Sequence, residues 1–195
     1  MGLLREGINE IIATTAYNAA PMGIHLRNNN ITMVLFTGSH TAQNIERDGW
    51  VIANFVHDPV LFVRTAFEDL PRESFIDEPV NGRIMQRLLN PDAWAAFTAT
   101  VEHKTNEAMM VRLTLIKEII EGVSVHPVNR GFNSIIDATV HATRYKENQD
   151  PKLQQLIGYH IAIVKKCGGK QEIEALDLLL KYIFLQDKRV DIPSP

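Results

Sequence analysis

The sequence predicts an α+β protein, a small β-barrel followed by a helical unit. Three observations predict it. Short apolar, β-branched runs separated by turn residues fill roughly the first 125 residues. After Val125 the apolar spacing changes to every third or fourth residue, the period of an amphipathic helix. The two patterns are segregated along the chain, which separates an α+β protein from an alternating βαβ one.

Taken in order, residues 8–15 (INEIIATT) form a β-branched run. Residues 23–26 form a short extended piece, and Asn28, Asn29 and Asn30 signal a turn. Residues 31–37 (ITMVLFT) read as a buried strand that Gly38 breaks. Residues 39–48 read as a short helix, with Ser39 or Thr41 as N-cap and Gly49 as its stop. Residues 50–56 (WVIANFV) are the next strand, ended by Asp58 and Pro59. Pro59 suits the first turn of a second helix over 60–68. Pro71, Pro79 and Gly82 lie among charges, so residues 70–83 read as a surface excursion. Residues 94–104 and 109–121 read as a long hairpin around Thr105, Asn106 and Glu107, with Val111, Leu113 and Leu115 alternating against Arg112 and Thr114.

Three helical stretches follow. Phe132, Ile135, Ile136 and Thr139 carry the first, Leu153, Leu156, Ile157 and His160 the second, and Ile173, Leu176, Leu180, Ile183 and Phe184 the third. Asp150-Pro151 and Gly168-Gly169 separate them. The polar, Pro-containing tail reads as frayed. The expected division is a barrel domain over 1–127, a helical subdomain over 128–187 and a tail over 188–195.

The 195 residues are 45% hydrophobic and 22% charged, the balance of an ordinary globular chain. Twenty Lys and Arg face 23 Asp and Glu for a net charge of −3, and no dense basic stripe appears. That argues against nucleic acid as a partner. No apolar run reaches the roughly 18 to 20 residues of a membrane span. The opening MGLLREGINEIIATTA has no apolar h-region, so no secretory signal is expected. Cys167 is the single cysteine, which excludes an internal disulfide, a CxxC pair and a thiolate zinc site. A soluble, cytoplasmic protein is expected.

Several common chemistries lack their motifs: GxGxxG, the Walker loop, HExxH and GxSxG are missing. The seven histidines are scattered, with no close pair at helical ligand spacing, so no metal is expected. His160 lies on an apolar helix face and reads as a satisfied core histidine. Cys167 follows two lysines that favour a thiolate, yet at a helix end it reads as structural.

Residues 17–58 hold the informative pattern: a strand, Gly38-Ser39-His40-Thr41, a helix, and a strand containing Asn54. A helix N-terminus offers unpaired N–H groups and the positive end of the dipole. Gly38 lets another group approach the backbone, Ser39 and Thr41 add hydroxyls, and Asn44 lies one turn on. Two readings stand: a phosphate cradle, or a plain N-cap, which chemistry alone favours. Upstream, Asn18-Ala19-Ala20-Pro21-Met22-Gly23 is either backbone against which a flat aromatic ligand lies, or a β-turn entering a strand.

Together the two segments, NAAPMGI and GSHTAQNIERDGWVIANFVHDPVLF, resemble the FMN-binding split-barrel flavoproteins. In the flavin-reductase-like branch the corresponding run looks like N-x-A-P-x-S, then K-D-T-x-x-N-I, then an apolar strand ending V-V-N. Gly23 stands where that branch often has Ser, and Ser39-His40-Thr41 stands for Lys-Asp-Thr. Asn44-Ile45 and Ala53-Asn54 match. Over most of its length the chain is similar to an uncharacterised, mainly archaeal family of that superfamily, a domain of unknown function. Its helical part carries a motif like Val140-His141-Ala142-Thr143-Arg144.

The resemblance implies FMN, bound at the interface of a homodimer. It assigns the phosphate to Ser39, Thr41 and Asn44, backbone contacts along the isoalloxazine edge to Met22, Gly23 and Ile24, and the ribityl chain or ring to Asn54. The Lys of Lys-Asp-Thr is missing. Arg130, in the polar loop before the helix at Phe132, is the candidate cation, with a plain surface role as its rival. Arg144 reads as an ion-pair partner. FMN brings its own redox chemistry, which suits a sequence without a catalytic constellation. The expected function is an FMN-dependent oxidoreductase or flavin reductase taking hydride from NAD(P)H. The rivals are a non-catalytic FMN carrier or sensor, and an interaction module with an empty site.

Overall fold

The computed structural model describes residues 2–122 and 125–184, and the predicted tail lies outside them. The chain divides into two compact units, Met1–His57 with Asp69–Val125, and Asp58–Glu68 with His126–Pro195. The first contains β1 (Gly7–Thr15), β2 (Asn18–Arg27), β3 (Asn30–Phe36), α1 (His40–Asp48), β4 (Trp50–Phe55), β5 (Phe75–Val80), β6 (Arg83–Leu88), β7 (Ala93–Lys104) and β8 (Ala108–Ile120). Six strands close into a barrel in the order β1-β2-β3-β8-β7-β4, every pair antiparallel. β5 and β6 form a separate two-stranded ribbon.

A barrel this narrow is filled by side chains. Ile11, Ile24, Met33, Leu35, Val51, Phe97, Met109 and Val111 fill it, with Ala13, Ala53 and Ala95 as small partners. The alternate residues of β4 and β7, Trp50, Ile52, Trp94 and Ala96, pack with Val80 and Met85 of the ribbon. β4 is therefore buried on both faces, which is why WVIANF reads as a continuous apolar run.

Two hairpins depart from expectation. Residues 70–83 are not an excursion: a 3-10 turn over Arg72–Ser74 leads into the ribbon, closed by Asn81 (φ 48°) and Gly82 (φ 77°). Two consecutive positive φ values make the type I′ turn that Asn-Gly favours. Pro79 is tolerated because β5 has β6 as its one partner strand and an unpaired second edge. β2 likewise starts at Asn18 rather than near Gly23. Ala16 (φ 39°) and Tyr17 (φ 60°) make its tight turn with β1, a strained choice for residues with a Cβ.

The second unit contains α2 (Pro59–Phe67), α3 (Arg130–Asn148), α4 (Pro151–Cys167) and α5 (Lys170–Phe184). Asp58, Asn129 and Asp150 cap the first three by accepting from Leu61, Gly131 and Lys152 N–H groups. The division differs from a single cut near residue 127. Val63 of α2 is fully buried with Ile135, Ala138, Ala142, Ile157, Val164, Leu176 and Leu179, so α2 belongs with the helices. Phe184, expected on the apolar face of α5, is exposed. No helix among the described residues is long and apolar enough to cross a membrane.

Candidate functional site

Thr37, Gly38 and Ser39 connect the end of β3 to the start of α1. Ser39 is extended, and its Oγ accepts from Ala42 N–H at 3.2 Å and donates to the Phe36 carbonyl at 2.8 Å. Ser39 is thus the N-cap, its hydroxyl engaged in both senses within the fold. Thr41 is buried, and its Oγ1 accepts from Asn18 Nδ2 at 2.9 Å. Asn44 Nδ2 donates to Thr15 at its carbonyl (3.3 Å) and hydroxyl (3.2 Å). The structure therefore brings Ser39, Thr41 and Asn44 together and ties the last two to the β1–β2 turn.

What this helix start leaves open is main chain. Ser39 takes the N–H groups of Ala42 and Gln43. Those of His40 and Thr41 have no acceptor among the described residues. Gly38 is exposed, and no described atom lies within 4 Å of where its Cβ would stand.

A second set of donors lies on β2. That strand pairs with β1 along its whole length but with β3 only from Ile24 to Arg27. Residues 18–23 therefore form an open edge. A two-residue turn closes on a hydrogen-bonded pair, here Thr15 with Asn18, and such pairs alternate along the ladder. The N–H groups of Met22 and Ile24 then point into β1, while those of Ala19 and Gly23 point to the open edge. Pro21, between them, has no N–H to waste there. Of Met22, Gly23 and Ile24, Gly23 is the one whose N–H faces the open edge. A Cβ on it would stand 3.0 Å from Ile8 Cγ2, so Ser at this position would press on that side chain.

Asn54, expected at the ribityl chain or ring, lies on β4. It is fully buried, donates to the Ile12 carbonyl (2.9 Å) and Thr14 Oγ1 (3.0 Å), and accepts from Leu88 N–H (2.9 Å). Its amide is a strap joining β4, β1 and β6.

Residues outside the predicted set surround the hairpin tip. Tyr17 Oη donates to Asp77, whose oxygens lie 2.7 and 2.9 Å away, and accepts from Arg72 at 3.1 Å. The Arg72 guanidinium lies 4.4 Å from the Tyr17 ring centroid. Gln86 donates to Asp77 at 2.7 Å, and the Gln86 and Tyr17 hydrogen bonds, with the Arg72 charge, hold that carboxyl below its usual range. His40 Nδ1 lies 3.9 Å from Asp69 Oδ1, so Asp69 lies beside the start of α1. Asn18 was legible as the first residue of the NAAPMGI run but without a role of its own, and Arg72 had no sequence signal at all.

The remaining expected residues lie in the helical unit. Arg130 is the exposed first residue of α3. Arg144 is exposed and makes no ion pair among the described residues, contrary to expectation. His160 is not satisfied: its Nδ1 is buried without a hydrogen bond, 4.0 Å from Asp137 Oδ2. His141 Nδ1 is in the same condition, and the two rings are 5.6 Å apart. Cys167 is the half-buried last residue of α4. A groove of about 390 Å³ between α2 and α5, lined by Val60, Arg64, Lys170, Glu174 and Lys181 among others, contains none of the expected residues. No group of three or more His, Cys, Asp or Glu among the described residues is arranged to hold a metal ion.

Residues 9–122 match the family model described as "Protein of unknown function (DUF447) N-terminal domain", and residues 129–181 match "Protein of unknown function (DUF447)". The chain belongs to the DUF447 family. It is similar to the uncharacterized protein MJ1453 of Methanocaldococcus jannaschii, at 24% identity over 91% of this chain and 99% of that one. It is also similar to the FMN-bound DUF447 protein MM1853 of Methanosarcina mazei, a crystal structure. That match has 37% identity and a TM-score of 0.84, over 91% of this chain and 95% of the other. A looser likeness, at 13% identity and TM-score 0.48, is to the 2-nitrobenzoate 2-nitroreductase NbaA of Pseudomonas fluorescens, over 62% of this chain and 68% of that one. MJ1453 and MM1853 both come from archaea, and this chain has the expected barrel followed by three helices.

Proposed function

We propose that this DUF447 protein binds FMN and works in the cytoplasm as a homodimeric, flavin-dependent oxidoreductase with NAD(P)H as its electron donor. The observation that carries the cofactor is the 37% identity, over 91% of the chain, to the FMN-bound protein MM1853. The donor set here fits such a ligand. A phosphate needs N–H donors, and His40 and Thr41 offer two at a helix start, where the dipole favours an anion. Ser39, Thr41 and Asn44 build and hold that start. The acceptor-rich edge of an isoalloxazine needs N–H donors too, and Gly23 offers one on an open strand edge.

Bound FMN supplies hydride acceptance and release, and the protein supplies binding, orientation and electrostatics. The dimer reading is supported by the outer face of β3 and β8, where Val34, Phe36 and Met110 are exposed and Val34 sits opposite Met110.

The test is the visible spectrum of the purified protein, followed by anaerobic mixing with NADH and with NADPH. The reading expects flavin bands that bleach on mixing. A colourless protein that takes up no added FMN ends the cofactor reading. Bound FMN that neither nicotinamide reduces leaves a binder or carrier and ends the oxidoreductase.

A further inference from the structure

The barrel unit contains nine Arg and Lys residues. Arg47, Arg87, Lys104, Arg112 and Lys117 each pair with a carboxylate within 4.0 Å. Arg5, Arg27, Arg72 and Arg83 have no such pair among the described residues, and of these Arg72 is the one at the hairpin tip. It is held instead by the ring and phenol of Tyr17, at the hairpin tip whose next residue, Asn18, is bonded to Thr41 of α1. Asp69 also lies beside the helix start through the His40–Asp69 contact. Asn18, next to Tyr17, and Asp69, three residues before Arg72, thus both touch the first turn of α1. Asp77, whose titration the Arg72 charge influences, is already hydrogen-bonded by Tyr17 and Gln86.

A dianionic phosphate near Asp69 needs more than two neutral N–H groups, because the Asp69 charge opposes it. Position 39, where the resembled pattern has Lys, holds a Ser whose hydroxyl is committed to Phe36. We propose that Arg72 supplies the positive charge for the FMN phosphate. This rests on the FMN reading above, and it assigns to the barrel unit's own residue the charge that the sequence pattern lacks. Tyr17 is the positioning residue: its ring and phenol hold the guanidinium at the hairpin tip, leaving other N–H donors of the fork for an oxyanion.

The experiment compares FMN with riboflavin, which lacks the phosphate, by fluorescence titration of the full chain. Wild type, Arg72→Gln and Arg72→Lys are titrated, with circular dichroism to follow folding. Wild type is expected to prefer FMN. Arg72→Gln should weaken FMN by about tenfold or more while leaving riboflavin unchanged, and Arg72→Lys should fall between. In wild type the FMN preference should shrink as salt rises, and in Arg72→Gln this salt dependence should largely vanish. A full FMN preference retained in Arg72→Gln overturns the proposal and leaves the FMN reading standing. So does a parallel loss of both flavins, or a wild type that binds the two alike. A wild type that binds neither flavin overturns both.

Discussion

Asn18 donates its side-chain amide to Thr41 Oγ1 at 2.9 Å, which joins the tip of the first hairpin to the first turn of α1. Asn44, one turn later, repeats the link to Thr15 across the same turn. The strained Ala16–Tyr17 turn is thereby fixed from both sides. Asn18→Ala and Thr41→Val should each lower stability by about 1 kcal/mol. The double variant should cost less than the sum, because both remove one interaction. Urea denaturation of the four proteins checks this, and additive losses would mean the contact contributes nothing.

Ser39→Ala should cost about 1 kcal/mol of stability, as loss of an N-cap does. Its effect on FMN affinity should be small, since the hydroxyl proton already lies on the Phe36 carbonyl. Parallel denaturation and flavin titration decide the point. A large fall in affinity with unchanged stability would restore Ser39 as a direct phosphate ligand.

Glu78 sits between Arg87 (3.2 Å) and Lys117 (3.0 Å), and both cations lie over the Trp94 ring. Burial resists the carboxylate charge, but the hydrogen bonds and charges of Lys117 and Arg87 outweigh it, and the group titrates below its ordinary 4.5. A folded value below the unfolded one means stability that is present above about pH 4.5 and lost as pH falls through the folded value. Glu78→Gln should cost about 1 to 2 kcal/mol near neutrality. In denaturant titrations, that difference should shrink steadily as the medium is acidified.

His141 and His160 meet between α3 and α4, with Asp137, Arg144 and Tyr159 around them. Burial lowers the His141 pKa, the His160 and Arg144 charges lower it further, and Asp137 opposes them. The folded value lies below the ordinary 6.5, so the neutral ring is the stabilised form. Stability is therefore greatest above about pH 6.5 and falls as the ring is forced to charge. Thermal melts should move to lower temperature on acidification through this range, and His141→Phe should flatten the shift. A melting temperature that rises on acidification would contradict the geometry.

Much of this was legible in the sequence because local chemistry and tertiary structure agree. Ser39 and Gly49 bound α1 as an N-cap and a left-handed stop should, and the apolar periods of α3 to α5 follow from their shared core. The β5–β6 ribbon was obscured because Pro79 reads as a strand breaker unless one edge is known to be free. The Asn81-Gly82 pair was the available signal. α2 has an ordinary helical sequence, and nothing local says that Val63 packs with α3 to α5. Asn54 illustrates the limit at the site: a motif marks its position, but only the fold reveals that Ile12, Thr14 and Leu88 use its amide. Arg72 acquires meaning only through Tyr17, 55 residues away in the chain.

Under the proposed function, this chain holds FMN through the α1 start and the open edge of β2. Titration of flavin-free protein with FMN, followed by flavin fluorescence, tests it most directly. Saturable quenching that riboflavin reproduces only weakly is the predicted result. Fluorescence that stays at the free-flavin level throughout the titration, with a protein that remains folded, would contradict it.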